Sequence, residues 1–313
     1  MLKVENLVKT YGRATALGGV SFTVNDGEIV GFLGPNGAGK STAMNIITGY
    51  ISSNTGKVFV DGEEILENPT AVKKKIGYLP EQPPLYPELT VDEYLNFVYE
   101  LRACTLPRQA HLNEICTAVR ITDIRTRLIR NLSKGYKQRV GIAAALIGDP
   151  PLIILDEPTV GLDPKEIIGV RNLIRALGKK HTVILSTHIL SEAQAVCDRM
   201  IIINRGKIAA DGKTDEINRF IKDNRRYKVT ISGSQNEVLP LLRGLSGIVR
   251  AEATGERDGD AAAYMIEAAS GIEIRKALFY ALAEQNLPIF GLEPVGQSLE
   301  DVFLKLTGRQ EGR

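Results

Sequence analysis

Short hydrophobic runs divide the first part of the chain into predicted strands, which are separated by polar and glycine-rich turns. Apolar and polar residues alternate over residues 2–7 and 20–24, and this pattern predicts a β-hairpin or meander. The mostly apolar stretch at residues 28–33 predicts a buried strand, followed by a glycine-rich turn and a helix. A strand and turn are predicted at residues 58–62, and a short strand at residues 76–79.

The middle of the chain has the apolar spacing of helices. Thr90 and Glu93 form a capping-box pattern that opens a predicted helix over residues 91–101. Helical spacing with many arginines continues to about residue 130, and another helix is predicted over residues 134–146. We therefore expect a small helical insertion, at about residues 90–145, on a larger α/β body.

Fully apolar strands then alternate with helices. Strands are predicted at residues 152–155, 182–186 and 200–204, and a helix at residues 191–197 lies between the last two. Another helix begins at Asp163-Pro164, because aspartate is a good N-cap and proline suits the first helical position. This alternation predicts a parallel sheet that is covered by helices on both faces.

The composition changes near residues 223–226. From there the predicted order is strand, helix, strand, strand, helix, strand, which is the βαββαβ order of ferredoxin-like domains. A turn is predicted at residues 255–260 between the two middle strands, and a last short helix at residues 298–306. We therefore predict two domains, an α/β domain at residues 1–222 and an α+β domain at residues 223–313.

The overall composition is that of an average globular protein. Of the 313 residues, 43% are hydrophobic and 24% are charged, so neither disorder nor a fibre is expected. The formal net charge of +2 gives no reason to expect nucleic acid as a partner. The apolar runs are far shorter than the roughly 20 residues of a membrane span. No signal peptide is visible, and the three cysteines form no CxxC pair, so we expect a soluble cytoplasmic protein.

One glycine-rich segment matches the P-loop pattern GxxxxGK(S/T) in full, between an apolar strand and a helix. Glycines allow backbone N–H groups to surround an anion, and the helix N-terminus adds positive potential. Lys40 is expected to reach the β- and γ-phosphates, and the Ser41 hydroxyl to bind Mg²⁺. The predicted nucleotide-binding residues of this triphosphate site are Gly34, Pro35, Asn36, Gly37, Ala38, Gly39, Lys40, Ser41 and Thr42.

Two adjacent acids, Asp156 and Glu157, follow the apolar strand at residues 152–155. Ligands of α/β sheets bind at the carboxyl ends of the strands, which places both acids at the site edge. Asp156 is therefore predicted to hold Mg²⁺ through water, and Glu157 to polarise the attacking water. The alternative is an ordinary acidic turn at the end of a strand.

Between these two motifs, residues 132–139 (LSKGYKQR) resemble the LSGGQ signature of ABC (ATP-binding cassette) ATPases. The other motifs of that family follow in order. Tyr11 resembles the aromatic residue that stacks on adenine, residues 161–163 (GLD) resemble the D-loop, and residues 186–188 (STH) the switch-histidine motif. The resemblance covers about residues 2–220 and implies an ABC-type P-loop domain that binds and hydrolyses ATP. It implies that His188 contacts the γ-phosphate.

Two departures from the family pattern are visible. The signature has Lys134 in place of a glycine and Tyr136 in place of the glutamine, while Ser133 and Gly135 keep the phosphate-contacting parts. Residues 77–82 (GYLPEQ) resemble the Q-loop, where glutamine follows proline directly. Here Glu81 follows the proline and Gln82 comes next, so either could act at the metal. A carboxylate can bind Mg²⁺ but cannot donate a hydrogen bond.

The resemblance also implies partners. Ser133 and Gly135 are expected to face the nucleotide of a second ATPase chain in a head-to-tail dimer, most simply a homodimer, and Asp163 of the D-loop is also expected to bind nucleotide. Residues 83–88 lie where the family contacts a transmembrane permease subunit, which would hold the chain at the cytoplasmic face of the membrane. Residues 297–308 are similar to the closing segment of ABC-2 exporter ATPases, and the domain before them is interpreted as an accessory or dimerisation domain.

The main hypothesis is therefore the ATPase subunit of a membrane exporter. The alternative is a soluble ABC ATPase that acts as a regulatory or nucleic-acid- or ribosome-associated switch. DNA-repair members carry a long coiled coil, which the short insertion has no room for, and translation-factor members carry two cassettes, whereas this chain has one P-loop.

Overall fold

The computed structural model describes residues 1–217, 226–269 and 271–295. The chain divides into two compact units, one of which contains Met1–Thr214 while the other begins at Asp215. The predicted boundary at residue 222, the predicted helix at residues 298–306 and the tail segment 297–308 lie outside the described residues.

The first unit contains a six-stranded sheet with the order β10-β9-β3-β8-β7-β6. Its strands are β3 (Ile29–Leu33), β6 (Ile76–Leu79), β7 (Leu152–Asp156), β8 (Thr182–Thr187), β9 (Arg199–Asn204) and β10 (Lys207–Lys213). All neighbours are parallel except β9 and β10. Every residue of the three central strands, β3, β8 and β7, is buried, as expected for a parallel sheet that is covered on both faces.

A smaller antiparallel sheet has the order β2-β1-β4-β5. Its strands are β1 (Leu2–Tyr11), β2 (Ala14–Val24), β4 (Thr55–Val60) and β5 (Glu63–Glu64). Alternate residues of β1 and β2, such as Leu2, Val4 and Phe22, are buried in one core with the apolar face of the helix that follows β3. The hairpin predicted at the start of the chain is thus formed by β1 and β2.

The helices of the first unit are α1 (Lys40–Ile47), α2 (Pro69–Lys74), α3 (Val91–Leu101), α4 (Arg108–Ala118), α5 (Lys134–Leu146), α6 (Pro164–Leu177) and α7 (Leu190–Val196). Between β6 and β7 the chain forms α3, α4, two 3₁₀ turns and α5, in the segment predicted to be helical. The capping box at Thr90 and Glu93 is present. The predictions did not include α2, β5 or β10.

The second unit has the strands β11 (Arg226–Ser232), β12 (Ile248–Asp258), β13 (Ala261–Ala268) and β14 (Ile289–Val295), with the helices α8 (Gln235–Gly244) and α9 (Arg275–Glu284). The sheet is antiparallel with the order β12-β13-β11-β14, which confirms the ferredoxin-like arrangement. The predicted turn at residues 255–260 is wrong in length. β12 continues to Asp258, which pairs with Ala261, because Gly259 takes a positive φ of 60° and allows a two-residue turn.

Candidate functional site

The P-loop connects β3 to α1 through residues 34–39. Glycine is required at two of its positions. Gly39 has a φ of 107°, and a side chain there would lie 2.6 Å from the carbonyl oxygen of Ala16. A side chain at Gly34 would lie 2.3 Å from the carbonyl oxygen of Ile203. The loop is therefore held tightly against neighbouring backbone, with the N-terminus of α1 at its end, and this arrangement can bind an anion.

Lys40 is the first residue of α1, and its side chain is only 6% exposed. Its Nζ donates a hydrogen bond to the Gly34 carbonyl oxygen at 2.8 Å. The same Nζ lies 3.5 Å from Glu157 Oε1. A buried ammonium group therefore stands between the loop and the acid, where its charge is weakly screened.

Glu157 directly follows β7 and contacts Lys40 of the P-loop helix, Ser186 at the end of β8, and His188. It has a positive φ of 48°, which is uncommon for a residue other than glycine and is a feature of functional sites. Its backbone N–H donates to the Ser186 carbonyl oxygen at 2.9 Å. His188 Nδ1 lies 3.0 Å and 2.9 Å from the two Glu157 carboxylate oxygens. The carboxylate thus contacts both a buried cation and an imidazole ring.

Asp156 is buried at the end of β7, and its Oδ1 has no hydrogen-bond partner among the described residues. Burial raises the pKa of Asp156, while the nearby hydroxyls of Ser186 and Ser41 act in the opposite direction. A buried carboxylate oxygen without a donor, beside a hydroxyl, suits a hard cation. Mg²⁺ needs only one or two protein carboxylates when phosphates and waters complete its shell. The residues present therefore fit Mg²⁺.

A cavity of about 570 Å³ lies over the P-loop and brings half of the predicted site residues together. Its lining residues are Ala16, Asn36, Gly37, Gly39, Lys40, Ser41, Thr42, Glu81, Glu157, Val160 and His188. Both Q-loop candidates are exposed, and of the two only Glu81 is among the lining residues of the cavity. Ala16 and Val160 were not predicted. Val160 could have been found from its place three residues after Glu157, but Ala16 comes from a distant strand and has no local signal.

Tyr11 lies at the end of β1, where it pairs with Ala14 in the first hairpin. Its side chain is 54% exposed and is not among the lining residues of the cavity. Lys9 Nζ lies 5.5 Å from the centre of its ring, a cation–π contact. The ring is therefore accessible to a partner, and its stacking on adenine stays a prediction.

The signature and D-loop residues form a second group outside the cavity lining. Ser133 is the N-cap of α5, and its Oγ accepts a hydrogen bond from the Tyr136 N–H at 3.3 Å. Asp163 is the N-cap of α6 and accepts from the Glu166 N–H at 2.9 Å. The two caps are adjacent, because Ser133 Oγ lies 3.5 Å from Glu166 Oε1. Gly135, in the first turn of α5, packs directly against that carboxylate.

No helix in the described parts of the chain has both the length and the apolar composition that a membrane span needs.

Comparison with known proteins gives a consistent result. Residues 17–160 match the ABC transporter family. The chain is 34% identical over 320 residues to the linearmycin resistance ATP-binding protein LnrL of Bacillus subtilis, with 99% of each chain covered. It is 32% identical over 310 residues to the bacitracin transport ATP-binding protein BcrA of Bacillus licheniformis, with 98% of this chain and 97% of that protein covered.

A solved structure is similar as well. It is a dimeric ATP-binding cassette in a post-hydrolysis state, bound to ADP and Pi. The TM-score is 0.62 at 30% identity, and the match covers 68% of this chain and 99% of that chain.

Proposed function

The chain belongs to the ABC transporter family as an ATP-binding ATPase, and we propose that it powers a membrane exporter through ATP-driven closure and opening of a dimer. The observation that carries the proposal is the cavity over the P-loop, where Lys40, Glu157 and His188 meet. A loop of backbone amides and a buried cation can hold the phosphates, and an acid beside them can orient the attacking water, as phosphoryl transfer to water requires.

Each group has a distinct proposed role. The P-loop amides and Lys40 hold the phosphates, and the ammonium offsets the negative charge that develops as the terminal bond breaks. Glu157 orients the attacking water and accepts its proton, and His188 contacts the γ-phosphate. Ser41 and Asp156, with Glu81 or Gln82, hold Mg²⁺. When bound, this ion supplies further charge stabilisation to the phosphates.

The proposed dimer follows from the two separate groups of site residues. Ser133, Gly135 and Asp163 lie outside the cavity lining of their own chain, at the adjacent N-termini of α5 and α6. In a head-to-tail pair with two-fold symmetry, these residues of one chain would complete the ATP site of the other. The similar solved cassette is dimeric, which supports this proposal. We propose a homodimer, with the second unit as an accessory or dimerisation domain.

We propose that a transmembrane permease subunit docks on the segment at residues 83–88 and the adjoining face of α3. Tyr86 and Phe97 are 50% and 42% exposed, and their rings are in edge contact with centres 5.3 Å apart. Tyr94 packs behind them, with its ring centre 6.1 Å from that of Tyr86. Exposed aromatic clusters are typical of interaction sites. Docking would place the chain at the cytoplasmic face of the membrane.

Replacing Tyr86 and Phe97 together with serine is expected to weaken binding to the permease at least about 30-fold, because an aromatic anchor pair contributes about 2 kcal/mol or more in total. Binding is measured as recovery of the ATPase chain on a tagged permease in detergent. Tyr50→Ser is the matched control, since Tyr50 is also exposed but lies in the turn that follows α1. Equal recovery of both variants would place the docking site elsewhere.

The export class is proposed from the relatives that match nearly the whole chain. Their names refer to linearmycin resistance and bacitracin transport. The permease of the ABC-2 export class would determine the transported compound. The test is purification with that permease, followed by ATPase assays with permease, with DNA and with ribosomes. Stimulation by the permease alone supports the exporter, whereas stimulation by DNA or ribosomes favours the soluble switch.

A further inference from the structure

A buried carboxylate, Glu192, lies behind the proposed catalytic residues. It belongs to α7 and is only 2% exposed. Thr159 Oγ1 donates a hydrogen bond to its Oε2 at 2.5 Å, and Thr187 Oγ1 donates to the same oxygen at 3.3 Å. Arg171 Nη2 lies 3.9 Å from its other oxygen, Oε1. None of these four residues is among the lining residues of the cavity.

The partners of Glu192 come from three segments that each carry a predicted site residue. Thr159 is two residues after Glu157, and Thr187 immediately precedes His188. Arg171 is on α6, the helix that begins after the D-loop. One carboxylate therefore links both loops whose side chains meet at 2.9 Å in the site.

The contacts around His188 form a turn over residues 187–192. Thr187 Oγ1 donates to Glu192 and accepts a hydrogen bond from the Ile189 N–H at 3.1 Å. The Glu192 N–H donates to the Ile189 carbonyl oxygen at 3.1 Å. His188 lies between Thr187 and Ile189, so its backbone is held on both sides by groups that Glu192 contacts.

Glu192 with Thr159, Thr187 and Arg171 is called the Glu192 cluster here. The free energy of burying its carboxylate indicates a geometric role for this cluster. Burying a carboxylate costs several kcal/mol unless donors satisfy it, and a buried ion pair often adds no more stability than apolar residues of the same volume. Stability therefore gives little reason for a carboxylate here. Its distinctive property is that one oxygen accepts from both threonine hydroxyls while the other faces the Arg171 guanidinium, whereas glutamine would turn an NH₂ group toward either the threonines or the arginine.

We propose that Glu192 is a positioning residue for ATP hydrolysis. Through Thr159 and Thr187 it fixes the position of the Glu157 loop relative to the His188 loop. This inference rests on the proposed roles of Glu157 and His188. Glu192 does not touch the substrate, and it acts through the separation and orientation of the two side chains that do.

The first test compares Glu192→Gln, Thr159→Val and Thr159→Ser. Valine has the shape of threonine but no hydroxyl, whereas serine keeps the hydroxyl. We expect Glu192→Gln and Thr159→Val to lower kcat about 10- to 100-fold, the range seen when groups that orient a site are removed. The Kd for ATP should stay within about twofold, because the phosphate-binding groups are unchanged. Thr159→Ser should recover most of the rate that Thr159→Val loses.

The second test measures the surroundings of the His188 ring by NMR. The chain has three histidines. His111 accepts a hydrogen bond from the Gly148 N–H at 3.0 Å, and His181 Nδ1 lies 2.9 Å from the Pro150 carbonyl oxygen, so neither joins the Glu192 cluster. In NMR spectra of the full chain, Glu192→Gln and Thr159→Val should shift the ring resonances of His188 and leave the other two in place.

Several outcomes would overturn the proposal. Unchanged kcat with an unchanged His188 resonance would show that the cluster does not position the site. A rise in the Kd for ATP that matches the fall in kcat/KM would assign the cluster to binding. Shifts of all three histidines would indicate general loosening of the fold, and so would failure of Thr159→Ser to recover the rate. If Glu157→Gln itself keeps turnover, the proposed function fails. If only the cluster variants keep it, the positioning role alone fails.

Discussion

Replacing Glu157 with glutamine is expected to leave ATP binding intact, to lower turnover by about 10²- to 10⁴-fold and to trap an ATP-bound dimer. A positioned general base contributes a rate factor of this size. Glutamine keeps the shape of glutamate but cannot accept the proton from water. The change also removes a negative charge from a site that must receive a polyphosphate, and it frees Lys40, which lies 3.5 Å from Glu157 Oε1.

Three measurements check this prediction. Phosphate release gives turnover, equilibrium titration gives the Kd for ATP, and light scattering after size exclusion gives the oligomeric state with and without ATP. Glu67→Gln is the matched control, since Glu67 is an exposed carboxylate that also faces a lysine, at 3.9 Å. Turnover of Glu157→Gln near the unmodified rate would refute its assignment as the base.

Lys40→Met is expected to have the second large effect, a loss of about 10²- to 10³-fold in kcat/KM with weaker ATP binding. A single preorganised donor to a developing negative charge is worth this factor. Methionine keeps most of the aliphatic stem, so the packing of α1 is retained, but it leaves Glu157 without the cation beside it. The carboxylate then repels the phosphates, which increases the loss.

The control for Lys40→Met is Lys57→Met on β4. Lys57 also pairs with a glutamate, at 2.6 Å, but its side chain is 53% exposed. Thermal unfolding should give similar midpoints for both variants, while only Lys40→Met loses ATP binding and turnover. Retained ATP affinity in Lys40→Met would contradict the phosphate-binding role of this residue.

Much of the fold was predictable from local patterns. The strands β3, β7 and β8 were visible because parallel strands that are buried on both faces are continuous apolar runs. The capping box at Thr90 and the Asp163-Pro164 start of α6 were visible because caps are local interactions. β10 was not predicted, because its residues are mixed in polarity and its strand form depends on pairing with β9.

The site was predictable to a similar extent. The P-loop and the acids after β7 depend on spacing along the chain, and the structure brings Lys40, Glu157 and His188 to one cavity. The sequence left Glu81 and Gln82 equivalent, and the structure places Glu81 at the cavity.

By itself the sequence determined most of the elements, the phosphate loop and the identities of the chemical groups, because helix periodicity, caps and glycine conformations act over a few residues. Only the tertiary structure decided which distant groups meet. It placed Ser133 and Asp163 outside the cavity of their own chain, and it joined Thr159, Thr187 and Arg171 around Glu192. The physical reason is that such contacts depend on the order of strands and the packing of helices, which no local spacing specifies.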